Sequence, residues 1–164
     1  MSEGNFTLDI FYRSWHEYQE TLKQAIAPLT AEQLALRAAP GLRSVGEIVA
    51  HVISSRVHWF GDFLGEMSSM QGVESLLARD MWDAPPRTAH ELVEGLDTSW
   101  RFMAELLNKW NSADMQHTFP FEVDGYHYDN SRSWVTWHIL EHDLHHGGEI
   151  SLMLGMYGLK APDV

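Results

Sequence analysis

At three points where a new apolar stretch begins, a Ser or Thr stands three residues before a Glu or Gln: Thr30 and Gln33, Ser44 and Glu47, Thr88 and Glu91. At that spacing the hydroxyl accepts from the backbone N–H three residues on, and the longer side chain reaches back to the first residue's N–H, so each pair marks a helix start. After Ser44 the apolar residues Val45, Ile48, Val49, Val52, Trp59, Phe60 and Phe63 recur at helical spacing to about Met67. After Thr88 the same spacing runs through Leu92, Leu96, Trp100, Met103, Leu106, Leu107 and Trp110. A stripe repeating every three or four residues must be buried against a neighbouring element, and no series of alternating strands is visible to receive it. The chain is therefore confined to helix packed on helix.

Two further helices fit this pattern. Between Thr7 and Ala27 the stripe is Leu8, Phe11, Tyr12, Trp15, Leu22 and Ile26, ended by Pro28. Asn130 or Ser131 can cap a last helix from Arg132 to about Leu154, with Gly155 and Gly158 closing it. Among the connections, the segment from Thr30 to Leu36 predicts a short helical turn before the Pro40-Gly41 breaker. Residues 68 to 87 predict a short helix near Val73, Leu76 and Leu77, stopped at Pro85-Pro86. Phe119, Phe121, Val123 and Tyr126 around Asp124-Gly125 predict a small hairpin or an extended loop. The expectation is an all-α four-helix bundle over residues 1–164, one domain, with short extra helices and, as one alternative, a small hairpin in its connections. Trp15, Trp59, Trp100 and Trp110, set among aliphatics, are expected in its core.

Composition then narrows the function. Eleven basic against 23 acidic residues give a net charge of −12, which repels phosphate backbones and anionic headgroups, so neither nucleic acid nor a membrane surface is an expected partner. The absence of cysteine leaves only nitrogen and oxygen to ligate a metal. The opening MSEGNFTLDI has neither a basic nor an apolar leader stretch, which points to the cytoplasm.

The last helix carries His138, His142, His145 and His146. Residues four apart share a helix face, so His142 and His146 can turn two imidazoles to one point, and His138 with His142 can do the same. A site needs a third ligand from elsewhere, and His51, one turn beyond Ile48 at the edge of the second stripe, can supply it. Spacing alone leaves the choice of pair open, and hydrogen-bonded histidines at the core edge would also satisfy it. His138 to His142 also spells H-x-x-E-H, a zinc-peptidase pattern, but the 22 residues after His142 do not hold that class's downstream domain. His58 shares the face of His51 and is expected beside a substrate or at the surface.

The chain resembles the DinB/YfiT-like metal-binding bundles. The likeness rests on an N-terminal helix with Trp and Tyr, the L-T-x-E-Q-L stretch of Leu29 to Leu34, the S-V-G-E-I-V-A-H segment of Ser44 to His51, and W-H-I-L-E-H-D-L-H-H-G-G-E-I from Trp137 to Ile150. The last segment is similar to the family's terminal H-x-x-x-H-H-x-G motif. This resemblance implies that His51, His142 and His146 are the ligands of one divalent transition metal, zinc or nickel in first place and iron as a further choice. It also implies metal-dependent chemistry on a small molecule, either transfer of a low-molecular-weight thiol cosubstrate to an electrophile or hydrolysis, and a homodimer. A metal-binding or stress-related dimer without turnover is the alternative. Glu141, Glu149, His138 and His145 are candidates to hydrogen-bond the ligands or carry protons. Trp134, Trp137, Met153 and Met156 are expected at the mouth of the site or on a dimer face. Many relatives carry Arg after the paired histidines, where this chain has Gly147 followed by Gly148, so close helix approach, a ligand or a bent last turn is expected there.

Overall fold

The computed structural model describes residues 6–80 and 85–162, with the side chains of residues 6–9 and 78–80 outside that description. Leu8 of the first stripe and part of the connection before Pro85 therefore lie outside the described set. The order is α1 (Phe6–Ile26), α2 (Ala31–Leu34), α3 (Val45–Val57), α4 (Ala89–Lys109), α5 (Ser112–Met115), β1 (Thr118–Val123), β2 (Tyr126–Ser131) and α6 (Arg132–Met156). The chain is predominantly helical and includes a two-stranded antiparallel sheet in the connection before the last helix.

The helix starts follow the capping logic. Thr30, Ser44 and Thr88 each accept from the backbone N–H three residues on while Gln33, Glu47 and Glu91 accept from theirs, closing all three boxes. A fourth box, Asn111 with Asp114, starts α5 and is not of the Ser/Thr form. Ser131, not Asn130, caps α6 by accepting from the Trp134 N–H at 3.1 Å.

The second long helix ends differently from its stripe. α3 stops at Val57 and continues as a π-helical turn over His58–Phe63, with the Leu64 N–H reaching back five residues to the Trp59 carbonyl at 3.2 Å. A π turn holds an extra residue, which re-aims the aromatic side chains that follow and is common at functional sites. The segment Val73–Asp80 is a 3-10 helix that packs on α3.

The hairpin alternative is the one adopted: Thr118 pairs with Ser131 and Val123 with Tyr126, leaving Asp124 and Gly125 as a two-residue turn. Their φ angles of 51° and 79° are the positive pair that a tight hairpin demands, and that Asp-Gly supplies at small cost.

α3 packs against α4 and α6, and α4 packs against α1. Between them Leu22, Ile26, Val49, Ile53, Leu92, Leu96, Met103, Leu106, Val135, Ile139 and Ile150 are fully buried. Trp15 belongs to this core, whereas Trp59, Trp100 and Trp110 lie partly buried against it, correcting the expectation for those three. Phe11 is 57% exposed and stands off its predicted stripe. Among the described residues no helix is long and apolar enough to cross a membrane.

Candidate metal centre

The Ser44 cap fixes where α3 begins, and from there Ile48 turns inward while His51 comes to the edge of the core, half-buried. On α6 the inward side runs through Ile139 and Ile150, and His142 and His146 fall between them, also half-buried. The result is convergence across two helices. His142 Nε2 lies 3.1 Å from His51 Nε2, and the ring centroids are 4.8 Å apart for His51 with His142, 4.8 Å for His51 with His146, and 4.3 Å for His142 with His146. One nitrogen from each ring lies within 4.8 Å of the other two, a grouping able to hold a metal ion.

The electrostatics favour neutral rings at His142 and His146. Burial pushes the His142 pKa down to about 3, helped by the neighbouring His146, His51 and His138 and by Arg56. Burial also lowers His146, against the opposing pull of Glu149. A neutral imidazole offers a lone pair, which is what a metal takes, and three such donors without carboxylate or thiolate form a set suited to zinc or nickel. Nδ1 of His142 is buried with no hydrogen-bond partner among the described residues. Three imidazoles are thus gathered at one point, with one buried nitrogen of His142 unpartnered among the described residues, and on donor chemistry the residues fit a divalent transition ion.

The surrounding candidates divide. His146 Nδ1–H donates to Glu149 Oε2 at 2.7 Å, which leaves Nε2 of that ring with its lone pair. His145 is exposed, 3.6 Å from the other oxygen of Glu149 and edge-on to the outer side of the triad at His146, 4.9 Å between ring centroids. His138 stacks on Trp134 at 4.9 Å and 12° and meets Trp59 edge-on at 4.8 Å, so its ring is occupied with tryptophans, and burial lowers its pKa. Glu141 is exposed and acts on His138 only through its charge. His58 is exposed and paired with Asp62 at 3.3 Å. An open cleft of about 510 Å³ lies beside the triad, lined among others by His51, His142, Ser54, Trp59, Leu77 and His138.

The DinB family model matches residues 1–164, the whole chain. The chain belongs to the DinB family. A solved structure, the crystal structure of a DinB-like protein from Bacillus cereus ATCC 10987, is similar in fold over 94% of this chain and 95% of that one, with a TM-score of 0.73 and 21% identity. No curated protein matches.

In this DinB chain the two adjacent glycines have separate explanations. A Cβ built on Gly147 would stand 1.6 Å from the Tyr18 hydroxyl oxygen, so the position is kept bare by the close approach of α1. A Cβ on Gly148 meets nothing within 4 Å. The helix continues through both to Met156, so it is not frayed at the glycines.

Sequence reasoning passed over the most polar part of this DinB core. Arg56 of α3 and Asp143 of α6 are both fully buried, with Nη2 to Oδ2 at 2.7 Å and Nε to both carboxylate oxygens at 3.1 Å. Trp15 Nε1–H donates to Asp143 Oδ2 at 2.8 Å, and Arg56 Nη1–H donates to Gln19 Oε1 at 2.8 Å and Ser99 Oγ at 3.4 Å. One knot therefore joins α1, α3, α4 and α6 beside His142. The available signal was Asp143 itself, a carboxylate on the side of α6 that carries Ile139 and Ile150 into the core.

Of the residues expected at the mouth or on a dimer face, Trp134 packs against His138 and Trp59, and Met153 is buried in the core. Trp137 and Met156 are exposed.

Proposed function

We propose that this protein is a metal-dependent enzyme on a four-helix-bundle frame, holding one divalent transition metal through His51, His142 and His146 and acting on a small molecule as a thiol S-transferase or hydrolase. The observation that carries this reading is the convergence of three imidazoles from facing helices within 4.8 Å of one another. Zinc or nickel suits the donor set best, with iron next. Three protein ligands leave a coordination position open, the arrangement of catalytic sites, and a bound ion would supply Lewis acidity that makes a thiol or a water a stronger nucleophile at neutral pH.

The chain's own residues supply the rest. Glu149 holds the Nδ1 proton of His146 and so keeps its other nitrogen available. The cleft beside the triad gives a small substrate a place to lie. The net charge of −12 favours a small-molecule partner over nucleic acid or a membrane, and a cytoplasmic setting fits the absence of a spanning helix among the described residues.

A homodimer is part of the proposal. Trp137, Leu144, Leu152 and Met156 are 59, 47, 64 and 57% exposed, and their spacing puts them on one side of α6, opposite the buried Ile139 and Ile150. Sedimentation equilibrium tests it: a monomer at micromolar concentration refutes the dimer.

Metal ligation is tested by elemental mass spectrometry of tag-free protein beside the His142→Ala variant. About one equivalent of a transition metal, lost in the variant, is the expected result. A wild-type protein that is empty and also refuses added zinc and nickel would sink the reading.

A further inference from the structure

The cleft beside the triad is lined mainly by flat rings. Trp59 lines it and is held from several sides: His138 edge-on at 4.8 Å, Phe63 at 5.0 Å, and Trp134 and Phe121 each at 5.6 Å. Trp134 is itself stacked on His138, so α6, the hairpin and the π-helical turn after α3 all converge on one indole. Such a ring is preorganised, because its rotamer freedom is already spent before a ligand arrives. No Lys, Arg, Asp or Glu is among the described residues that line the cleft. Beyond the histidines and any ion they hold, no basic side chain lines the cleft to receive a carboxylate or phosphate, inside a chain of net charge −12. A flat neutral ring would exchange water for π-stacking. The volume of about 510 Å³ is of the size that holds a small organic molecule.

We propose that this cleft is the subsite for a flat, uncharged aromatic body carried by the small-molecule substrate, which lies on Trp59 and His138 with a lone-pair atom directed at the histidine triad. This deepens the metal-dependent reading and rests on it for the direction of the ligand, not for the stacking.

The probes are imidazole, 4-phenylimidazole and 4-(imidazol-4-yl)benzoate. Their binding to zinc-loaded and metal-free protein is followed by calorimetry and by the Trp59 indole N–H resonance, assigned through bonds in the wild type. With zinc, 4-phenylimidazole is expected to bind at least about tenfold tighter than imidazole, the size of one good stacking contact. The benzoate is expected to lose that advantage, and the Trp59 resonance to move with 4-phenylimidazole in both forms of the protein. In Trp59→Leu the tenfold preference should shrink to about threefold or less; should that variant not fold, the wild-type resonance decides alone. Zinc bound with Trp59 unmoved and the two imidazoles equal overturns the subsite and leaves the metal reading standing. Tighter binding of the benzoate than of 4-phenylimidazole overturns the uncharged class. A protein that takes no zinc but still shows the Trp59 shift supports the subsite and sinks the metal reading instead.

Discussion

Replacing Asp143 by Leu is expected to cost about 3–5 kcal/mol of folding stability, the range for breaking a fully buried ion pair from one side. The structure explains why the cost falls at the upper end of what point changes do. Arg56 would remain fully buried with only Gln19 Oε1 at 2.8 Å and Ser99 Oγ at 3.4 Å to solvate it, and Trp15 Nε1–H would lose its 2.8 Å acceptor. Against a typical total of roughly 5–15 kcal/mol this is a large fraction, and at about 2–4 °C per kcal/mol for a chain of this size the melting temperature should fall by roughly 6–20 °C. Removing both charges, Arg56→Met with Asp143→Leu, should cost only about 1–3 kcal/mol, mostly for the orphaned indole N–H, because apolar pairs of similar shape replace buried ion pairs nearly neutrally. The double variant is therefore expected to be more stable than Asp143→Leu alone. Urea denaturation followed by far-UV circular dichroism, in chelator so that metal binding does not shift the native state, measures wild type, Asp143→Leu, Arg56→Met and the double variant. If Asp143→Leu lies within about 1 kcal/mol of wild type, or the double variant equals the sum of the singles, the two side chains are not coupled as the distances imply.

The neighbouring glycines should respond with opposite signs. Gly147→Ala forces Tyr18 to move and should destabilise by about 1–3 kcal/mol, whereas Gly148→Ala, in open space, should stabilise by up to about 1 kcal/mol through helix propensity; thermal melts that give both the same sign would contradict the packing of α1 on α6. For metal-free protein, the unfolded chain takes up a proton at His142 below about pH 6.5 while the native ring resists down to about 3. Stability should then fall as pH drops through that window and be insensitive to this group above it, and His142→Ala should have a shallower slope; equal slopes in pH-dependent urea melts would count against the burial of that ring. Thr88→Ala removes the hydroxyl that caps α4 and should cost about 1 kcal/mol; a loss below about 0.3 kcal/mol in the same assay would mean that α4 starts independently of its cap.

What could be read from the sequence was what is local. A capping box is completed within four residues, so Thr30, Ser44 and Thr88 announced their helices, and the Asp124-Gly125 turn carried its own backbone demand. The end of α3 was not legible, because Trp59, Phe60 and Phe63 keep the apolar spacing alive while the backbone changes to a π turn. His142 and His146 were visible as a pair four apart, yet spacing gave His138 an equal claim. The structure separates them through contacts distant in sequence, since Trp59 and Trp134 engage His138 while His51 faces the other two.

Arg56 and Asp143 stand 87 residues apart and had no local signature at all. A trace of them was present in the pattern of α6, whose inward positions between Ile139 and Ile150 read His142, Asp143, His146 and Gly147 where a core stripe should be apolar. Each breach has a separate compensation: Asp143 is neutralised by Arg56, Gly147 makes room for Tyr18, and Glu149 takes the proton of His146. His142 is the exception, with Nδ1 buried and unpartnered and its Nε2 set against another base. Among these inward positions of α6 the ring nitrogen of His142 is the atom left without a partner, and such a place is where a ligand is expected to complete the chemistry.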